Sequence, residues 1–256
     1  MSVLLLRLAG PLQAWGSASR FARRGTENAP TKSGVLGLLA AAQGRPRDAD
    51  LSDLAALRFG VRIDQPGSRL RDYHTAHHAD SGKSMPVSER FYLADAVFVA
   101  GVEGDADLLG RLHRAVLEPQ FLPYLGRRSC PPSRPLDMGG PAEGTLEEVL
   151  RNAEWQASDW HARQAAGQRG GPGDHASLEL LTDCPPGGTP EFSVRDTPLS
   201  FDPRHRRYGP RGVRTGRTAP PPSHDPTAAL APVPSGPPPA RPGGDAQAAD
   251  TSSRTT

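Results

Sequence analysis

The sequence contains few of the features that mark secreted, membrane-spanning or metal-binding proteins. Its 256 residues include two cysteines, Cys130 and Cys184, and no C-x-x-C motif. No apolar run approaches the ~18 residues that cross a membrane, and no basic segment followed by an apolar one resembles an export signal. We therefore expect a cytoplasmic protein with free thiols and without a membrane partner.

Lysine and net charge are also scarce. Lys32 and Lys83 are the only lysines among 30 basic residues, and the formal net charge is +2. This net charge by itself predicts no polyanionic partner, but the positive charge is clustered. The clusters are residues 204–217, with six arginines and no acid, the group Arg20, Arg23, Arg24 and Lys32, and the pair Arg127 and Arg128. Arginine favours bidentate phosphate contacts, although a GC-rich genome explains the same bias and is the interpretation that we favour.

Apolar periodicity in the N-terminal part predicts strands that alternate with helices. Val3–Leu8 is a short apolar run, which predicts a central strand. Thr31 or Ser33 is placed to cap a helix that ends near Gly44. Leu57–Asp64 alternates as a half-buried strand does. The pattern predicts that Phe59, Val61 and Ile63 point inward and that Arg58, Arg62 and Asp64 point outward.

The pattern repeats after a long polar segment. Phe91–Val102 predicts a strand, and Asp105 or Asp107 begins a helix that ends before the next proline. Leu122–Leu125 predicts a further short strand. The order β-α-β-β-α-β over residues 1–138 is typical of the ferredoxin-like fold, which RNA-recognition modules share. We therefore predict an α+β, ferredoxin-like (RRM-like) domain.

The C-terminal part has weaker signals. Residues 139–217 contain a Thr145-x-x-Glu148 capping box that predicts a helix, and they contain predicted strands at Ser177–Thr182 and Glu191–Asp196. This is too little for an independent core, so we expect a small β-rich extension that packs on the first domain. Ten prolines fall in the 46 residues from 211 to 256. We predict that the proline-rich tail, 218–256, is disordered, because it has little apolar surface to offset its ordering entropy.

The start of the first predicted helix is a candidate phosphate site. Six residues separate Gly25 from Lys32, so the spacing of a P-loop is not met. Thr31, Lys32 and Ser33 nevertheless lie where free amides, the helix dipole and one cation favour a phosphate. The alternative is that Thr31 and Ser33 only cap the helix and that Lys32 is solvated.

The long polar segment, residues 65–89, is either functional or an extended hairpin, because its length is unusual for a loop. Its ring side chains include Tyr73, His74, His77 and His78. No cysteine lies near, and no carboxylate spacing completes a zinc set, so we predict no metal and no cofactor. These rings could grip or stack on nucleotides, or the segment could be a mobile hairpin. In a third interpretation a histidine accepts the 2′-hydroxyl proton during RNA cleavage while Lys32 or an arginine stabilises the phosphorane.

Several strings, in this order, resemble one family of CRISPR-associated proteins. They are LLLRLAGPLQAWG (4–16), APTKSGVLGLLAAAQG (29–44), LRFGVRID (57–64), LRDYHTA (70–76) and YLGRRSCPPSRPL (124–136), with a weaker echo in RDTPLSFDPRHRRYGPR (195–211). Residues 1–139 thus resemble the CasD subunits of type I-E CRISPR Cascade complexes, a branch of the RAMP proteins in the Cas-five family. The proline-rich tail has no counterpart in this resemblance.

The resemblance implies that residues 65–89 form a thumb hairpin between the second and third strands of the domain. It also implies a subunit that holds the 5′ handle of the CRISPR RNA (crRNA) beside a CasC-type backbone subunit and a CasA-type large subunit. Target DNA is then contacted indirectly, through the complex.

A sister branch cuts CRISPR RNA with a Tyr, a Lys and a His, the last two adjacent in sequence. Lys32 and Lys83 have no adjacent histidine. The resemblance therefore implies a non-catalytic subunit. The alternative is a metal-independent endoribonuclease that uses Tyr73 and His74 to process repeat RNA.

The residues that this interpretation assigns to RNA binding come from the basic clusters, the helix start, the hairpin and the quoted strings. They are Gln13, Trp15, Arg20, Arg23, Arg24, Thr31, Lys32, Ser33, Arg71, Tyr73, His74, Arg127, Arg128 and Arg206. No residue is assigned to catalysis or to a metal.

Overall fold

The fold is a mixed α+β architecture with a main antiparallel sheet, a smaller sheet in which only β3 and β6 are parallel, and few helices. A computed structural model describes residues 1–16, 23–167, 177–202 and 204–221. In these ranges the strands are β1 (Ser2–Ala9), β2 (Leu12–Gln13), β3 (Arg23–Arg24), β4 (Arg58–Gln65), β5 (Ser68–His74), β6 (Ser88–Ala94), β7 (Val97–Gly104), β8 (Ala142–Glu143), β9 (Leu178–Asp183), β10 (Phe192–Ser200) and β11 (Arg207–Thr218). The helices are α1 (Lys32–Ala42), α2 (Ser52–Ala55), α3 (Ala106–Leu117), α4 (Leu146–Asn152) and α5 (Asp159–Gly167).

Seven strands form the main sheet, in the order β10-β11-β9-β4-β7-β1-β8, and each neighbouring pair is antiparallel. A smaller sheet has the order β2-β6-β3, with β5 paired to β6. The strands β9, β10 and β11 of the C-terminal extension therefore continue the same sheet as β4. The tail beyond residue 221 lies outside the described residues.

The main sheet is covered on both faces. On one face, leucines of β1 pack with leucines of α1 and α3. On the other face, α4 lies over Gly60 and Gly101, which are partners across β4 and β7. An added Cβ at Gly60 would lie 2.9 Å from Leu150 Cδ1, and one at Gly101 would lie 2.8 Å from Leu146 Cδ1. These two glycines allow α4 to approach the sheet closely.

This second covered face corrects the prediction that Arg62 and Asp64 point outward into solvent. Arg62 is 0% exposed and Asp64 is 1% exposed. The Arg62 guanidinium forms two hydrogen bonds with Asp64 and also donates to the backbone carbonyls of Leu150, Ala153 and Glu154, at the end of α4. Burial of charged groups is tolerated here because nearly every polar group has a partner.

The predicted strand Phe91–Val102 is divided between the two sheets. The chain turns at Asp95, which has a φ of 56°, so β6 belongs to the smaller sheet and β7 to the main sheet. Residues 68–74 and 88–94 pair in a continuous antiparallel register from Ser68↔Ala94 to His74↔Ser88. The long polar segment is therefore a hairpin in the structure, formed by β5 and β6.

Other elements confirm or correct the sequence-based predictions. Thr31 caps α1, Asp105 caps α3, and the Thr145/Glu148 capping box begins α4, as predicted. Leu122–Leu125 is not a strand, although the Leu125 carbonyl accepts from the Ala14 amide. The sequence pattern did not indicate α5 or β11. Among the described residues, no helix is long and apolar enough to cross a membrane.

Candidate nucleic-acid interface

The start of α1 does not present Lys32 to the surface. Thr31 accepts from the Gly34 amide with its hydroxyl, as an N-cap residue does. The Lys32 side chain is 6% exposed, and its Nζ donates to Asp183 Oδ2 at 3.0 Å. The Lys32 backbone N–H donates to Asp196 Oδ2 at 2.8 Å. The backbone N–H at the start of α1 and the Lys32 ammonium group were the two donors predicted to bind a phosphate. Both donate to carboxylates of the protein instead.

Arg211 completes this buried ionic network, which consists of Lys32, Asp183, Asp196 and Arg211. The Arg211 guanidinium donates to both oxygens of Asp196, at 2.7 and 2.8 Å, and to Asp183 Oδ1 at 2.8 Å. Its plane lies over the Phe59 ring, 5.2 Å from the centroid. Burial opposes the charged form of Arg211, but the two carboxylates outweigh it and raise the pKa of the guanidinium.

A groove beside α1 is a strongly basic concave surface. Its volume is about 860 Å³. Its arginines are Arg24, Arg45, Arg47, Arg127, Arg128 and Arg206. Its aromatic residues are Trp15, Phe121, Tyr124, Phe201 and Tyr208. No aspartate or glutamate is among the described residues that line it. We call this surface the arginine groove; its charge and its rings suit a single-stranded polyanion.

Helix α1 forms the floor of the arginine groove with small residues. Gly34 permits close packing of Trp15, because an added Cβ would lie 2.8 Å from Trp15 Cε3. Trp15 is 1% exposed, and its Nε1 donates to Gln13 Oε1 at 3.0 Å. Gln13 is fully buried and donates to the carbonyls of Leu8 and Ala96. Gln13 and Trp15 therefore shape the groove from below and are not exposed to a ligand.

The loop after α3 brings two predicted residues to the groove. Arg127 Nη2 donates to the Arg24 carbonyl at 2.9 Å, and its guanidinium lies 4.6 Å from the Tyr92 ring centroid. The Nη1 atom of Arg127 is buried and has no hydrogen-bond partner among the described residues. Arg128 is exposed beside it. Ser33 and Thr31 also line the groove, but both are more than nine-tenths buried.

The β5–β6 hairpin carries a second set of predicted residues. The Arg71 guanidinium lies 5.1 Å from the Tyr73 ring centroid, and Arg23 lies 5.3 Å from that of Phe91. Tyr73 is 57% exposed. Arg71 pairs with Phe91 across the strands, while Tyr92 is the next residue along β6. Because side chains alternate along a strand, Arg71 and Tyr73 lie on the opposite face from Tyr92, on which Arg127 is stacked.

The same alternation separates Tyr73 from His74. Consecutive residues of β5 point to opposite faces, so the phenol and the imidazole do not converge on one substrate bond.

Among the described residues, no group of three or more histidines, cysteines or carboxylates is arranged to hold a metal. Arg20 lies outside the described residues. The predicted residues thus divide into groove residues, hairpin residues and buried structural residues.

Sequence reasoning missed several residues that the structure makes important. Asp183 and Asp196 lie 151 and 164 residues from Lys32. Phe201 and Tyr208 line the groove from the far end of the chain. Two signals pointed to this region: the echo of the family strings in 195–211 and the arginine cluster at 204–217.

Comparison with known proteins assigns a family to these features. The profile described as "CRISPR-associated protein (Cas_Cas5)" matches residues 3–214. The "CRISPR system Cascade subunit CasD" of Escherichia coli (strain K12) is 38% identical over 185 residues, which cover 64% of this chain and 82% of that protein. A chain of a "CRISPR RNA-guided surveillance complex" is 32% identical, with a TM-score of 0.68 over 86% of this chain and 91% of that one.

A further solved structure is also similar to this chain. A chain described as "Crystal structure of Cas protein" is 40% identical, with a TM-score of 0.64 over 85% of this chain and 95% of its own length. The family profile spans most of the chain, from the first residues of β1 to the middle of β11. The chain therefore belongs to the Cas_Cas5 family of CRISPR-associated proteins.

Proposed function

We propose that this chain is a cytoplasmic, non-catalytic RNA-binding subunit of a Cascade-type, RNA-guided antiviral surveillance complex, and that it holds the 5′ handle of the crRNA. The observation that carries the proposal is the arginine groove, with six arginines, four aromatic residues besides the buried Trp15, and no lining carboxylate among the described residues. The relatives support the setting, since one is a Cascade subunit and another is part of an RNA-guided surveillance complex.

The chemistry of the groove suits single-stranded RNA. Arginine binds phosphate with parallel N–H donors, and exposed aromatic faces stack on unpaired bases. Arg128 and Arg206 are exposed at the groove, and Tyr208 is half-buried next to Phe201, with ring centroids 6.4 Å apart. A duplex would present neither unstacked bases nor a single backbone to such a surface.

The fold supports the proposed role of the hairpin. The order β8-β1-β7-β4 within the main sheet, with α1 and α3 on one face, supports our proposal of a ferredoxin-like domain. The β5–β6 hairpin connects β4 to β7, which is the position of the thumb in that arrangement. We assign Arg71 and Tyr73 to RNA contacts on the thumb, and Arg23, on the neighbouring strand β3, to RNA contacts beside it.

In this proposal the chain contacts the crRNA handle, a CasC-type backbone subunit and a CasA-type large subunit. Target DNA is selected by pairing with the guide and reaches this chain only through the complex. The rival function is a metal-independent endoribonuclease. Its Tyr73/His74 pair is separated on two faces of β5, and Lys32 is buried against Asp183, which favours the binding function over cleavage by these groups.

The test measures binding of a single-stranded handle RNA to the full chain at several salt concentrations. Arg128→Ala and Arg206→Ala are each expected to weaken binding about five- to tenfold and to lower the salt slope by ~0.7 per lost phosphate contact. Arg111→Ala is the matched control, because Arg111 is exposed on α3 and does not line the groove.

Two results would contradict the proposal. One is equal RNA affinity for the two groove variants and the control variant. The other is cleavage of repeat RNA in EDTA that is abolished by His74→Ala, which would establish the endoribonuclease instead.

A further inference from the structure

The C-terminal side of the arginine groove is formed by three residues from the β10–β11 hairpin. They are Phe201, Arg206 and Tyr208, which we call the C-terminal wall. Among the described residues, β10 is an edge strand that pairs only with β11. The sheet therefore contacts this hairpin on one side only, through β11. What sets its position against α1 therefore also sets the shape of the groove.

Asp196 connects β10 to α1. It lies at a register shift between Arg195 and Thr197, where the chain has one residue more than its partner strand. Such a bulge turns a side chain away from its ordinary direction. The Asp196 carboxylate is fully buried and accepts from the Lys32 backbone N–H and from two nitrogens of Arg211.

The charges of the network balance. Lys32 and Arg211 contribute two positive charges, and Asp183 and Asp196 contribute two negative charges, at distances of 2.7 to 3.0 Å. Inside a protein such a group is stable only when every charge is paired. A shift of β10 away from α1 would leave Asp196 paired with Arg211 but would remove the Lys32 backbone N–H from Asp196 and leave the N-terminus of α1 without its carboxylate, so the docked position is favoured.

None of the four network residues lines the groove. Any effect that they have on RNA binding is therefore indirect, through the wall or through the start of α1, where Thr31 and Ser33 line the groove. The wall also meets the apolar core beside α1: Phe201 packs against the core, and a Cβ added at Gly37 would lie 3.5 Å from Phe201 Cε2. Phe201 therefore packs beside α1 on the groove side, and Asp196 binds the start of α1 in the interior.

We infer that Asp196 is a positioning residue, which fixes the C-terminal wall of the arginine groove against α1 through the buried ionic network. This inference rests on the proposed function for its consequence in RNA binding. The docking itself is independent of that function, because it concerns only contacts within the chain.

The test combines hydrogen exchange with a double-mutant cycle in the full chain. In Asp196→Asn, we expect faster amide exchange in residues 199–208 and unchanged exchange in the β5–β6 hairpin. In the same background, Arg206→Ala is expected to change the affinity for handle RNA by less than about twofold, because the wall no longer places Arg206. Arg128→Ala, on the loop after α3, is expected to keep its full effect of about five- to tenfold.

A conservative variant covers the case in which Asp196→Asn does not fold. Arg211→Lys keeps the charge but cannot donate to both carboxylates in the same fixed geometry. We expect it to speed exchange in 199–208 and to reduce the Arg206→Ala effect. Glu147→Gln is the matched control, because it removes an ion pair with Arg58 on the opposite face of the sheet. It should leave both measurements unchanged.

The outcomes separate the inference from the proposed function. Unchanged exchange in 199–208, or a full Arg206→Ala effect in the network variants, would overturn the positioning role. If Arg206→Ala and Arg128→Ala have no effect in the unmodified chain, the groove proposal fails. Hydrogen exchange then still decides whether Asp196 positions the wall.

Discussion

Lys32→Met distinguishes a buried structural lysine from a phosphate-binding one. Methionine keeps the apolar stem and the backbone N–H that donates to Asp196, but it removes the ammonium group. Asp183, whose side chain is 11% exposed, then loses one of its three donors and keeps Arg211 and the Phe59 amide. Loss of one partner from a buried ion pair costs ~3–5 kcal/mol. Because two donors remain, we expect Lys32→Met to lower the free energy of unfolding by about 2–3 kcal/mol.

Urea unfolding of the full chain measures this change. The double variant with Asp183→Asn is expected to lose less than the sum of the single variants, with a coupling of about 1–2 kcal/mol, because the two side chains are in direct contact. The salt slope of RNA binding should stay the same in Lys32→Met, since no phosphate contact is removed and the Asp196–Arg211 contact is retained. The reasoning is refuted if unfolding changes by less than about 0.5 kcal/mol while the salt slope falls by ~0.7.

Three further predictions concern the hairpin, the thiols and the C-terminal strand. Tyr73→Leu should weaken handle RNA binding at least fivefold while Tyr73→Phe does not, because stacking on a base contributes ~1–3 kcal/mol; rescue by leucine in a binding titration would mean that the ring only packs. Burial raises the pKa of the Cys130 thiol, so in the folded chain an aromatic disulfide reagent should modify the half-buried Cys184 first, and equal rates would contradict the placement of Cys130. A chain that ends after Pro221 should unfold at the same urea concentration as the full chain, whereas one that ends after Thr215 should be less stable, because it lacks residues 216–218 of β11 that pair with β9.

Local signals were sufficient for several elements. The capping box at Thr145, the N-caps at Thr31 and Asp105, and the apolar run in β1 all appear where the sequence predicted them. For the three helices the interactions that define the start lie within about four residues, and β1 is marked by its own apolar run although its pairing partners are distant. Short-range spacing is therefore enough to specify where these helices and this strand begin.

The same local patterns were misleading where a distant segment supplies the environment. The alternation in β4 predicted a solvated face for Arg62, but α4 covers that face. β11 has few apolar residues, and it becomes a strand because β9 and β10 pair with it on both sides. A periodicity argument has no information about such neighbours.

The candidate site shows most clearly the difference between what local sequence specifies and what distant segments supply. The sequence by itself determined that this chain has clustered arginines, a polar hairpin with Arg71 and Tyr73, and a capped helix that begins at Lys32. Only the tertiary structure decided which cations are enclosed and which line the groove: Lys32 is enclosed by two carboxylates from β9 and β10, while Arg128 and Arg206 line the arginine groove. The physical reason is that the availability of a charge depends on its partners, and here the partners are more than 150 residues away in the chain.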